Sequence, residues 1–207
     1  MKPWLFDILA CPIDKYFPLK LYIFSFETKT EEFQVFLDKY KKRDLSSIKE
    51  EKIIEVSMNK DVLLIKDNII IEFSPLKSYL ELIISSISEL DNIFDNTKKL
   101  TSKECLNLVK TEVKQKIVDY LKKNNIENID DIFPELYFLN KIKLETEIES
   151  GLLFCDKCKR WYPIIDTIPQ MLPDKYRDQQ KEIEFLKINK NLLDEEFFFQ
   201  NLKPFNI

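Results

Sequence analysis

Two short segments at opposite ends of the chain constrain its fold more than anything between them. The first, residues 5–14, reads LFDILACPID and places Asp14 three positions after Cys11. The second, GLLFCDKCKRWYPIIDTIPQMLP, starts at Gly151 and holds Cys155 and Cys158 as a C-x-x-C pair. That spacing sets two sulfurs at the tip of a tight turn, pointing the same way, as in half of a tetrahedral zinc knuckle. A half-site cannot close a tetrahedron. Cys11 and Asp14 offer a C-P-x-D sequence where C-P-x-C would complete a four-cysteine site. If the halves meet, both termini build one domain and the stretch between them is an insertion.

Two absences in the 207 residues exclude whole classes of activity. Histidine is missing, which removes Ser–His and Cys–His nucleophile pairs and the imidazole base. Gly151 is the single glycine, so no glycine-rich loop can cradle a phosphate or a dinucleotide. The same lack argues against a methyltransferase core, whose cofactor loop needs close backbone approach. A net charge of −4 argues against a chain whose main task is gripping a nucleic-acid backbone. No catalytic residue is assigned. No apolar run nears the roughly 20 residues that span a bilayer. MKPWLFDILACP is a poor secretory signal, and four scattered cysteines make no disulfide scaffold, so a cytoplasmic location is expected.

Between the half-sites the periodicity changes several times. Leu5, Ile8 and Leu9 suggest a short helix leading into Cys11, and residues 17–26 read as a strand. Phe33, Phe36, Leu37 and Tyr40 lie on one helical face. Residues 53–73 hold three β-type runs, with a hairpin expected between 62–65 and 69–73 across the Lys66-Asp67-Asn68 break. Ser74-Pro75 signals a helix whose face carries Leu80, Ile83, Ile84, Ile87 and Phe94. A capping box at residues 101–104 opens another, with Cys105, Leu108, Val109, Val113, Ile117, Tyr120 and Leu121 on its stripe. Residues 141–154 return to strand alternation. The charged tail suggests one or two terminal helices anchored by Ile183, Leu186 and Leu193. The expected class is α+β: a zinc-knuckle-like small β domain from residues 1–22 and 142–207, and a mixed helical and β insertion over 23–141.

The thiols admit three readings: core residues, a redox pair, or ligands. A redox C-x-x-C sits at a helix N-terminus, where the dipole lowers a thiol pKa; strand-like Trp161 to Ile165 follows here instead, which favours metal. Cys105, on an apolar helical stripe, reads as a small buried hydrophobe. Asp14 is either a fourth ligand, giving Cys11, Asp14, Cys155 and Cys158 as a set for one Zn²⁺, or a solvated turn residue. Ile164, Ile165, Ile168, Met171 and Leu172 exceed what a small domain can bury, and an apolar strand of this kind points to a partner. Lys157, Lys159, Arg160 and Trp161 give a local basic and aromatic hint of an RNA-binding zinc ribbon instead.

Residues 1–22 and 142–207 together resemble the small zinc-binding methyltransferase-activator subunit, in its archaeal form. The likeness rests on LFDILACP, on the strand into GLLFCDKCKRWYPIIDTIPQMLP, and on the tail IEFLK…KPFNI. It implies a zinc-knuckle domain built from both termini, with no activity of its own. Such a subunit pairs a strand with the sheet edge of a class I methyltransferase acting on tRNA, rRNA or a release factor. It keeps that enzyme soluble and able to bind S-adenosylmethionine, which belongs to the partner. RNA is then met only through the partner, and no membrane or small-molecule substrate is implied. Asp14 departs from the family's second cysteine. The insertion is longer than the family core requires, and the resemblance is silent on its role.

Overall fold

The computed structural model describes residues 1–60, 62–122 and 128–207, and its architecture is mixed α+β. Helix α1 (Pro3–Phe6) is one turn opened by proline at its first position, shorter and earlier than the spacing of Leu5, Ile8 and Leu9 suggests. Strand β1 (Lys20–Phe26) follows. Helix α2 (Thr30–Lys42) buries Phe33, Phe36, Leu37 and Tyr40, the face that their spacing predicts. Helix α3 (Leu45–Glu50) is capped by Asp44, whose carboxylate accepts from the backbone N–H of Ser46 and Ser47.

Strands β2 (Glu55–Asn59), β3 (Val62–Lys66) and β4 (Ser74–Pro75) form an antiparallel sheet in that order. The hairpin therefore joins β2 to β3, and the one expected between 62–65 and 69–73 does not form. Asp67 supplies the reason. Its carboxylate accepts from the backbone N–H of Ile69 at 2.8 Å and of Ile70 at 2.6 Å, which withdraws donors that a ladder would need. The Tyr79 hydroxyl (2.6 Å) and the Asn140 amide (2.7 Å) complete the shell of this buried carboxylate.

Helix α4 (Leu76–Glu89) buries Tyr79, Leu80, Ile83 and Ile87. Phe94 is not on it: the chain leaves the helix and enters strand β5 (Ile93–Asp95). Helix α5 (Leu100–Leu108) starts before the expected capping box and has no side-chain cap. It runs through a π-helical turn (Val109–Val113) into α6 (Lys114–Leu121), and Cys105, Val109, Val113, Ile117 and Tyr120 stay buried along it. Helix α7 (Phe133–Asn140) runs into a second π-turn (Lys141–Glu145), which occupies the start of the stretch read as strand. All eight residues of α7 are buried, so no polar face marks it as a helix in the sequence. Strand β6 (Ile148–Phe154) begins only afterwards, followed by β7 (Trp161–Ile165), β8 (Ile168–Pro169), α8 (Gln179–Ile188) and α9 (Glu195–Phe198).

The chain divides into two compact units: Met1–Glu27 with Asn92–Lys98 and Glu147–Ile207, and Thr28–Asp91 with Lys99–Thr146. The first holds a five-stranded sheet ordered β5-β1-β6-β7-β8, in which β1 and β5 are parallel and the other pairs antiparallel. On one face Phe24, Leu152, Phe154 and Trp161 pack with Leu186, Leu193, Phe197 and Leu202 from the C-terminal segment. Each such large side chain contributes about 1.5–3 kcal/mol on burial. Leu21, Ile23, Leu153, Tyr162 and Ile164 form the other face, all fully buried. Gly151 sits between β1 and β7, where a Cβ would stand 2.7 Å from the Tyr22 carbonyl oxygen. The second unit combines the β2-β3-β4 sheet with α2 to α7. No helix among the described residues is long and apolar enough to cross a membrane.

Candidate metal centre

Strand pairing brings the two half-sites together. Lys20, at the start of β1, pairs with Phe154, at the end of β6. The chain entering β1 and the chain leaving β6 therefore meet at one end of the sheet, and Lys20 Nζ binds Asp156 Oδ2 at 2.8 Å there. Cys155 is the first residue after β6, and Arg160 the last before β7, so the C-x-x-C pair forms a hairpin tip.

The two loops share one backbone conformation. In the first, Cys11 N–H donates to Tyr16 O, and Lys15 N–H donates to Cys11 O, both at 2.9 Å. In the second, Cys155 N–H donates to Arg160 O at 2.8 Å, and Lys159 N–H to Cys155 O at 2.9 Å. Lys15 and Lys159 hold the same left-handed position, with φ of 58° and 60°. A lysine there costs on the order of 1 kcal/mol relative to glycine. Both loops accept that strain to turn the residue before it inward.

That preceding residue is Asp14 in one loop and Cys158 in the other. Cys11 Sγ and Cys158 Sγ are 3.6 Å apart, and Cys155 Sγ is 3.6 Å from Asp14 Oδ1. The ligand atoms of Cys11, Asp14, Cys155 and Cys158 all lie within 4.8 Å of one another. Cys11 and Cys155 are buried, while Asp14 and Cys158 are half-buried. This cluster can hold a metal ion: four donors, mostly sulfur, at the spacing a tetrahedral cation requires. Asp14 stands within the cluster, and its Oδ1 also accepts from Tyr16 N–H at 3.1 Å.

The protonation preferences differ around the cluster. Desolvation pushes the Asp14 carboxyl up, but bonds from the Cys11 thiol, the Tyr16 N–H and the Cys155 thiol hold it below its ordinary value. Burial pushes the Cys155 thiol up to about 12. Desolvation raises Cys158 too, yet the Arg160 backbone N–H and guanidinium, with the other thiols, bring it below the usual thiol range. Arg160 is itself fixed by Asp174, with its Nη2 2.9 Å from Oδ2.

Sequence reasoning overlooked Tyr162. Its hydroxyl lies 3.3 Å from Cys11 Sγ, and nothing in the strand-like run Trp161 to Ile165 separates this tyrosine from ordinary core. Cys105 lies in the second unit, buried, with its Sγ 3.8 Å from Phe33 O, apart from the cluster.

Beyond Tyr162 the chain turns through Asp166 and Thr167, both left-handed at φ 47° and 66°, into the outermost strand β8. Ile164 is fully buried, whereas Ile168 is 60% and Leu172 43% exposed. Ile165 and Met171 are half-buried. The five apolar residues singled out in the sequence thus separate into core and surface members.

Residues 2–166 match the family model described as Trm112p-like protein, a span that includes both loops of the cluster. No curated protein and no solved structure matches the chain.

Proposed function

Because the chain belongs to the Trm112p-like family, whose members activate methyltransferases, we propose that it is the non-catalytic activating and stabilising subunit of a class I, S-adenosylmethionine-dependent enzyme. The substrate of that enzyme is tRNA, rRNA or a translation release factor, and the complex works in the cytoplasm. S-adenosylmethionine is held by the enzyme. This chain holds one Zn²⁺ through Cys11, Asp14, Cys155 and Cys158. The ion cross-links the chain before β1 to the β6–β7 hairpin and so fixes the end of the sheet. The partner meets the β8 edge at Ile168 and Leu172, flanked by Ile165 and Met171.

The observation that carries this reading is the family match across both loops, whose equivalent geometry places an acid where a thiol is expected. Two features weigh against an RNA-binding zinc ribbon. Trp161 is fully buried, with its indole N–H on Phe205 O at 3.0 Å, so it offers no stacking platform. Lys159 and Arg160 face Asp156 and Asp174. The hairpin-tip position of Cys155 and Cys158 likewise lacks the helix N-terminus of a redox pair.

The test is co-expression with class I methyltransferases from the same source. A cognate enzyme is expected to be soluble, to bind S-adenosylmethionine and to turn over only alongside this chain. If every such enzyme is equally soluble and active without it, the reading fails.

A further inference from the structure

A ligand count of four omits the hydroxyl at the centre's inner wall. Tyr162 is fully buried in β7, paired with Leu153, and its hydroxyl oxygen is 3.3 Å from Cys11 Sγ. A tyrosine phenol, whose ordinary pKa is about 10, carries its proton at neutral pH. A metal-bound sulfur is a thiolate, which only accepts. The hydroxyl must then donate.

We propose that Tyr162 is an outer-sphere donor that orients the Cys11 thiolate and disperses its charge, and so sets the affinity of the centre for its metal. The inference rests on the reading that the four-residue cluster holds a divalent cation. Three thiolates and a carboxylate carry four negative charges, so a divalent ion leaves two in a largely buried place. Such residual charge is expensive unless donors surround the sulfurs. Cys158 has the Arg160 backbone N–H and guanidinium. Cys11 has Tyr162. The Arg177 guanidinium lies 5.2 Å from the Tyr162 ring centroid and draws electron density from the ring, which strengthens the hydroxyl as a donor.

Tyr162→Phe in the full chain removes the hydroxyl and keeps the ring that fills the sheet face. Zn²⁺ affinity is measured by chelator competition at fixed pH, and the sulfur-to-metal charge-transfer band is read in the Co²⁺ form. The expected result is about a 10–100-fold weaker affinity with unchanged stoichiometry, and a shifted band that a merely structural role would not move. Tyr120→Phe, a buried tyrosine of the second unit, should change neither. Unaltered affinity and spectrum in folded Tyr162→Phe would overturn the proposal. Should that variant not fold, ¹¹³Cd-loaded wild type decides: the Tyr162 hydroxyl proton should couple to cadmium across the Cys11 sulfur, and absence of that coupling overturns it equally. A wild-type chain that binds no metal defeats the metal reading itself, an outcome distinct from wild-type binding that Tyr162→Phe leaves intact.

Discussion

Asp14 and Cys158 occupy the same position in two loops of one backbone conformation. Each is third after a buried cysteine and immediately before a left-handed lysine. The carboxylate is therefore held where the second thiolate of a knuckle would be. A carboxylate is a harder and weaker zinc ligand than a thiolate, and Zn²⁺ accepts both.

Asp14→Cys should consequently tighten Zn²⁺ binding, and Asp14→Ala should weaken it by roughly 10-fold or more. Chelator competition with purified protein reads both. Cys105→Ser should leave the stoichiometry at one metal, since that thiol hydrogen-bonds to the Phe33 carbonyl in the other unit. A stoichiometry near two in wild type would defeat the single-site assignment.

Gly151 is set by close approach rather than by a turn. A methyl group there meets the backbone oxygen of Tyr22 at 2.7 Å, and a carbonyl in a paired strand cannot swing aside as a side chain would. Gly151→Ala is expected to destabilise the first unit by about 1–3 kcal/mol. The shift in the denaturation midpoint measures it.

Glu51 makes the second unit sensitive to acid. Desolvation raises its carboxyl, but bonds from Lys141, Lys39 and Tyr137 outweigh that and bring it to about 2 from an ordinary 4.5. A carboxylate depressed on folding contributes stability above its unfolded value, and loses it as pH falls through the folded one. The window is therefore pH 4.5 down to 2, with an effect on the order of 2 kcal/mol after screening. Urea denaturation at pH 6 and pH 3 should show the loss in wild type. Glu51→Gln should be weaker at pH 6 and flatter between the two.

The candidate ligand cluster was more legible in the sequence than the fold around it. C-x-x-C and C-P-x-D are local patterns, and their meeting needs one strand pairing, β1 with β6. Helix α7 was illegible because burial on all sides erases the period that reveals a helix. Residues 69–73 read as strand because Asp67 looks like a turn acid in the sequence. Its Oδ1 takes two backbone N–H groups while its Oδ2 is held by Tyr79 and Asn140, 12 and 73 residues away in the chain. Tyr162 failed to stand out for a related reason: a core tyrosine and a sulfur-bonded one have the same neighbours in sequence.

The separation of buried from exposed residues around β8 sharpens the partner test. Ile164 pairs with both Gly151 and Pro169 and is fully buried, so Ile164→Asp should unfold the sheet and report nothing about binding. Ile168 and Leu172 are exposed on the outermost strand and just beyond it. Their replacement by aspartate should leave the isolated chain folded. Pro169 lacks an N–H, which limits added pairing at its own position and leaves side-chain anchoring to carry the affinity. An anchor residue at an interface is worth about 2 kcal/mol, roughly 30-fold in affinity. Ile168→Asp and Leu172→Asp, each with an unchanged melting curve and metal content, should therefore lose co-purification with the cognate methyltransferase and its activation. If both folded variants activate at the wild-type level, the enzyme docks on another face. Restored binding by Ile168→Val but not Ile168→Asp would show that the loss comes from the buried charge rather than from a changed strand.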